Sequence, residues 1–495
     1  MIRLTLAEIV SAVQGTLVDG AAPDTIVTGT VEFDSRKIQP GALFVALPGQ
    51  RVDGHDFVGS ALDSGAVAAL VAHQVGLPAI LVPPTEDKSS NSDPYALAHD
   101  TSGEMAAVLQ AMGRLARYVV DQCTVGGLKV VGVTGSAGKT STKDLLASVL
   151  HKAGETVAPP GSFNNEIGHP YTALRCGEHT DFLVAEMSAR GIGHIAHLAE
   201  IAPPHVGVVL NVGSAHLGEF GSRANIAQAK GELVEALPAD GLAVLNADDD
   251  MVTEMSSRTR ARVVRFSTKR KADYYATNIR LDEVARASFT LHTPVTGQGY
   301  PVTLQVFGEH QVSNALAAAA VGVEFGLDPA AVAQALSDHR NASANRMDVQ
   351  TRADGVTIIN DSYNANPDSM RAGIAALSYT AHGRQGVRSW AVLGQMAELG
   401  DDAIAEHEAV AEVLLNMRID TLVVVGSDVN SHALATSATE RGITTLTADS
   451  ADAAINLVDK DLAPGDVVLV KASNSAGLWR VAAGLLGKPV DTPEA

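Results

Sequence analysis

The stretch KVVGVTGSAGKTSTK, residues 129–143, decides the fold. Val130 to Val133 form an apolar run that reads as a buried strand, glycines fall at 132, 135 and 138, and Lys139 and Thr140 open a helix. Strand, glycine turn and helix in that order aim backbone amides and a helix N-terminus at phosphate oxygens. A lysine and a threonine at its end can reach the β/γ-phosphates and ligate Mg²⁺. The spacing is GxxGxxGKT; in a strict GxxxxGKT pattern the first glycine would fall at Val133. Gly135, Ser136, Ala137, Gly138, Lys139, Thr140 and Ser141 are thus candidate ATP contacts, and a bare glycine turn with a surface lysine is the weaker reading.

Beyond the loop, the apolar strands DFLVAEM (181–187) and HVGVVLNV (205–212) alternate with helices, which implies a parallel sheet covered on both faces. Glu186 ends the first strand, where a carboxylate can ligate Mg²⁺ or simply meet solvent. His216 stands beyond the second, where a lone histidine is more often a hydrogen-bonded structural residue than a ligand. Lys230 is odder. In ANIAQAKGELVEAL, it shares a helical face with Ile226, Leu233, Val234 and Leu237. A lysine there must pair with an anion, become a reactive neutral amine, or snorkel past the helix edge.

At 495 residues the chain has room for about three domains of ~150 residues. The expected architecture is α/β throughout: a small N-terminal α/β domain over 1–100, a central P-loop ATPase-like parallel sheet over 101–344 and a C-terminal Rossmann-like domain over 345–495. Residues 83–104, rich in Pro, Ser and Asp, read as a linker or exposed insertion, and residues 262–307 as antiparallel strands attached to the central sheet. After 346 the strands GVTIIND, SWAVLG, TLVVVG, ITTLTA and DVVLVKA each precede a helical segment. A hinge is expected near residue 344.

A formal charge of −20 with no basic cluster argues against a nucleic-acid partner. Cys123 and Cys176, with no further cysteine, make neither a disulfide framework nor a metal site. No secretion signal and no bilayer-length apolar run is evident, so a cytoplasmic protein is expected.

Several further stretches join the loop in a family pattern: DSRKIQPGALFVALPGQRVDGHDF (34–57), FNNEIGHP (163–170), NVGSAHLGEFGS (211–222), AKGE (229–232), GEHQVSNALAAAA (308–320) and DSYNANPDSM (361–370). Across nearly its whole length the chain resembles the Mur ligases of peptidoglycan synthesis, and FNNEIG with DSYNANP is similar to the dipeptide-adding branch. The resemblance implies that ATP phosphorylates the terminal carboxylate of UDP-MurNAc-tripeptide and that the amine of D-Ala-D-Ala attacks the acyl phosphate. It implies that Thr140, Glu186, His216 and Lys230, the last as a CO₂-derived carbamate, hold two Mg²⁺ ions, and that Lys139 and Arg346 meet the phosphates. Asn314 and position 311 fall at the adenine, Asp361 at the ribose. Ser35, Arg36, Gly54 and His55 correspond to uridine diphosphate contacts, while Asn164, Asn165, Ser188, Arg190, Tyr363 and Asn364 lie near the peptide substrates. For Asn366, before Pro367, helix capping alone is the preferred reading. The chain departs from the family pattern at Ser188, Gln311, Gln395 and Ala472. A ligase adding the third peptide residue, a folylpolyglutamate synthetase-like enzyme and a catalytically silent ATP-binding scaffold are the competing readings; a monomer is expected.

Overall fold

The computed structural model describes residues 1–49, 52–84, 97, 100–213, 217–340, 343, 345–384 and 386–488. The proposed hinge at 344 and most of the 83–104 segment lie outside them.

The first helix, Leu6–Val13, begins at a capping box in which Thr5 and Glu8 bond each other's backbone amides. Its apolar face covers a five-stranded sheet ordered Thr16–Val18, Ala79–Leu81, Ala68–Val71, Leu43–Val45, Val31–Glu32, parallel except at the first strand. The long helix Glu104–Val125 packs against this first helix on one side and against Gly168–Ala173 and His194–Ile201 on the other. It ties the first domain to the second through one apolar core.

Nine strands form the central sheet, with Lys129–Thr134 between Phe182–Glu186 and Val206–Val209. Its residues 130–134 are buried, as a strand covered by helices on both faces must be. The parallel part extends further than the sequence suggests. Arg262–Ser267 runs parallel to Leu242–Asn246, and Tyr274–Leu281 parallel to Arg262–Ser267; antiparallel pairing starts only with Arg286–His292 and Gly299–Phe307. Val264 and Phe266 are buried in the core that holds the Ala-rich helix Gln311–Glu324, so this strand belongs to the covered sheet and not to an open hairpin.

A six-stranded sheet builds the third domain, in the order Asp348–Thr351, Thr357–Asn360, Val467–Lys471, Ser389–Leu393, Thr421–Val425, Thr444–Ala448, parallel but for the first pair. Chain order reverses around Val467–Lys471, which places its carboxyl end and those of its two neighbours at one crevice. Among the described residues no helix is long and apolar enough to cross a membrane.

Candidate functional site

A cleft of about 950 Å³ lies between the carboxyl ends of the central and third sheets. The glycine loop forms one wall. Gly138 has φ +85°, and a Cβ there would sit 2.6 Å from Asn314 Oδ1, so both backbone conformation and space demand glycine. Asn211, at the end of the neighbouring strand, fixes the loop's shape: its Oδ1 accepts from the Ala137 amide at 2.9 Å and its Nδ2 donates to the Ala137 carbonyl at 3.0 Å. Ser136 Oγ accepts from the Gly213 amide at 2.9 Å. Lys139 curls back to donate to the Gly135 carbonyl at 2.8 Å. Burial lowers its pKa; Glu186 opposes the shift and Arg346 adds to it.

A relay of hydrogen bonds starts in the third domain and ends beneath the loop. Arg346 donates to Ser162 Oγ at 2.6 Å, Ser162 and Thr140 hydroxyls meet at 2.8 Å, and Thr140 donates to Glu186 Oε2 at 2.9 Å. Asn164 Nδ2 holds the other oxygen, Oε1, at 2.7 Å. Glu186 is only 1% exposed, so every donor around it matters.

Lys230 is 3% exposed on the helix Arg223–Glu235, and its ammonium makes no hydrogen bond or ion pair with a described residue. Burial, with a further push from the Lys139 ammonium, lowers its pKa to about 7. His216 lies outside the described residues.

Opposite, Asp361 accepts from buried Lys471 at 2.6 Å and from the Met347 amide at 3.1 Å. Lys471 also donates to the Asn364 carbonyl at 2.8 Å. The Arg346 guanidinium lies 4.1 Å from the ring centre of Tyr363. Gln311 and Asn314 bond each other at 2.9 Å in the cleft wall, so glutamine at 311 fits without leaving a polar atom stranded. Ser188 lines the cleft beside Arg190, whose guanidinium pairs with Glu398 of the third domain at 3.0 Å. Asn366 caps Pro367–His382 through a reciprocal bond with Ser369, as expected. Asn165 also acts as a cap, accepting from the amides of Ile167 and Gly168. Ala472 packs where Gly394 leaves room for it.

The first-domain candidates stand apart from this cleft. Arg36 is exposed and held by Asp34 at 2.8 Å, and Ser35 lies in the same short turn, Ser35–Lys37. His55 has both ring nitrogens engaged: Nδ1 bonds Asp53 at 2.7 Å and Nε2 accepts from the Ala72 amide at 3.0 Å. Gly54 is required sterically, since a Cβ would meet the Leu47 backbone at 2.6 Å. Ser162, Asn211 and Lys471 were not reached from sequence; Asn211, directly after an apolar strand that ends beside the loop, carried the clearest signal.

Residues 29–117, 133–322 and 345–474 match the Mur ligase family descriptions "catalytic domain", "middle domain" and "glutamate ligase domain" respectively. The UDP-N-acetylmuramoyl-tripeptide--D-alanyl-D-alanine ligase of Mycobacterium tuberculosis is 52% identical over 98% of both chains. This chain belongs to the Mur ligase family. Among solved structures it is similar to MurF from Acinetobacter baumannii (TM-score 0.81, 29% identity, 98% of this chain and 99% of that one). It is also similar to MurF ligase from Thermotoga maritima in complex with ADP (TM-score 0.74, 28% identity, 93% and 98%). Both likenesses extend across the three-domain Mur ligase architecture.

Proposed function

We infer that this protein is an ATP-dependent, ADP-forming ligase that joins D-alanyl-D-alanine to UDP-N-acetylmuramoyl-tripeptide in peptidoglycan precursor synthesis. The observation that carries the chemistry is the relay from Arg346 through Ser162 and Thr140 to Glu186, which brings residues of two domains to one phosphate loop. The full-length likeness to the tripeptide ligase supports the choice of substrates.

In the first step a terminal carboxylate oxygen of the tripeptide attacks the γ-phosphorus of ATP and ADP leaves. In the second, the dipeptide amine attacks the acyl carbon, inorganic phosphate leaves with the C–O bond, and the amine gives up a proton. Phosphoryl transfer needs positioning and charge neutralisation more than covalent help from the protein. The amides of Gly135 to Ser141 surround the phosphates, Lys139 exchanges the Gly135 carbonyl for phosphate oxygen, and Arg346 approaches from the other domain. Asp361 takes the ribose, with Asn314 and Gln311 at the base. Ser35, Arg36 and Gly54 take the uridine diphosphate, and His55 shapes their loop. Asn164, Asn165, Ser188 and Arg190 face the muramoyl peptide, Tyr363 and Asn364 the dipeptide.

The donor set fits Mg²⁺: the Thr140 hydroxyl and the Glu186 carboxylate lie side by side at 2.9 Å. Bound there, Mg²⁺ supplies charge neutralisation for the transferred phosphoryl group. Thr140, Glu186, His216 and Lys230 would hold two such ions. The uncompensated amine of Lys230, its pKa lowered to about 7, is unprotonated in a substantial fraction near neutral pH and so suits reaction with CO₂, and the carbamate converts a buried cation into an anion. The three domains, 1–100, 101–344 and 345–495, divide UDP-substrate, ATP and dipeptide between them. Each chain carries both walls of the cleft, so it acts as a monomer, in the cytoplasm where ATP is available.

The test supplies purified protein with ATP, Mg²⁺, UDP-MurNAc-tripeptide and a panel of amino acids and dipeptides, with products identified by mass. Phosphate release should require both tripeptide and D-Ala-D-Ala, and the product should be their condensation. Equal ATP hydrolysis without either substrate, or addition of a single amino acid to a shorter precursor, contradicts the reading.

A further inference from the structure

Arg190 and Glu398 meet across the cleft, Nη2 to Oε1 at 3.0 Å, one from the segment after the Glu186 strand and one from the loop after Ser389–Leu393. Glu398 sits at φ +64°, in the left-handed region that an L-residue with a Cβ enters at an energetic cost and glycine enters freely. The loop is held in that shape from both sides. The Met396 amide donates to His407 Nε2 at 2.8 Å and the Ala397 amide to Ser473 Oγ at 2.8 Å. Two residues on, Gly400 touches Gly218 of the central domain so closely that a Cβ on Gly400 would lie 2.6 Å from the Gly218 Cα. The glutamate is thus held toward Arg190 in a backbone conformation that glycine would adopt at less cost.

A structural cement would be buried. This pair is not: the Arg190 and Glu398 side chains are 28% and 35% exposed, and ion pairs so open to water contribute little to stability. Such a pair is easily replaced by another carboxylate, and arginine's planar fork binds carboxylates in general. Two carboxylates crowded on one guanidinium repel each other, so an incoming one and Glu398 compete for it.

We propose that Glu398 is a specificity-determining competitor, holding the guanidinium of Arg190 until a carboxylate of the UDP-linked peptide takes its place. This rests on the ligase reading and adds to it a residue that sets the threshold for the peptide substrate. A peptide lacking the carboxylate gains nothing at Arg190 and leaves Glu398 where it is.

The test compares Glu398→Gln and Glu398→Ala with the wild type, measuring KM for UDP-MurNAc-tripeptide, D-Ala-D-Ala and ATP with the other two saturating. Removing the competing charge should lower the tripeptide KM by about twofold to fivefold, the range an exposed ion pair commands, while the ATP KM stays put. Arg190→Ala should raise the tripeptide KM and abolish the effect of Glu398→Gln in the double variant. A tripeptide KM that is unchanged or raised in Glu398→Gln, which preserves the side chain's shape, overturns the proposal whatever the alanine variant does. So does an effect confined to the D-Ala-D-Ala KM, which assigns Glu398 to the dipeptide. If the wild type makes no tripeptide-dependent product, the ligase reading fails; if it ligates normally and Glu398→Gln leaves the tripeptide KM unmoved, only this inference fails.

Discussion

The two domains that meet at the cleft treat a buried lysine in opposite ways. On the third-domain wall Lys471, 1% exposed, gives its ammonium to the Asp361 carboxylate and the Asn364 carbonyl. Lys143, behind the phosphate loop, is handled the same way, paired with Asp144 and bonded to the Pro159 carbonyl at 3.0 Å. On the central-domain side, behind the cleft lining and near Lys139, Lys230 has no described carboxylate, and the charge it feels most is the ammonium of Lys139. A completed charge is scaffold. An uncompensated one is tolerated where a ligand or a modification completes it, which is why the central domain is where the chemistry is expected.

The largest effect should come from breaking the incomplete side. Lys230→Ala should lower turnover by about a thousandfold, roughly 4 kcal/mol of transition-state stabilisation, while nucleotide binding at the loop largely survives. Acetate or another short-chain acid, entering the vacated space as a carboxylate, should restore part of that activity. Lys139→Ala should lose comparable activity and not respond to acids. Lys230→Arg should fail too, because guanidinium keeps its charge and forms no carbamate. Near-normal turnover of Lys230→Arg at saturating Mg²⁺ would show that residue 230 is only a helix-face cation.

Stability should order the two domains the other way. Lys471→Met strands Asp361, and leaving one partner of a buried ion pair alone costs about 3 kcal/mol, readable as a lower urea midpoint. Replacing Asp361 by Asn in the same chain should recover most of it. Lys230→Met removes a buried ammonium that has no counter-charge and should not destabilise the protein in CO₂-free buffer. Equal losses in the two methionine variants would erase the distinction between the domains.

That distinction was only half legible in the sequence. Lys230 could be singled out because helical periodicity put it among Ile226, Leu233 and Val234, and those residues are buried together. Lys471 could not, because it ends an apolar strand, where a solvent-facing lysine is ordinary, and its partner lies 110 residues away. The loop and the strand-end Glu186 were readable from local order alone, since strand, turn and helix fix where their ends point. Ser162 was not, because a serine in a glycine- and proline-rich loop carries no periodic signal. The antiparallel reading of 262–267 failed for a related reason: strand direction depends on what covers the strand, and the covering helix, Gln311–Glu324, comes some fifty residues later.

The smallest effect concerns a third way of burying a base, which is to keep it neutral. His169, on Gly168–Ala173, is 2% exposed, and its Nε2 has no hydrogen-bond partner. Burial lowers its pKa to about 4, against the counter-effect of a bond to the Leu198 backbone, with His197 lowering it further. The folded state thus refuses a proton that the unfolded chain accepts near its ordinary value of 6.5. Stability from this group is complete above pH 6.5 and is lost as the pH falls toward 4, amounting to about 2 kcal/mol by pH 5. Urea midpoints at pH 7 and pH 5 measure the loss, and His169→Asn, whose amide can still donate to the Leu198 carbonyl, should shrink the difference between them whatever it does to absolute stability. If the pH 5 loss persists undiminished in that variant, the acid sensitivity belongs to other buried histidines, with His205 and His407, both lowered by burial, next to be replaced.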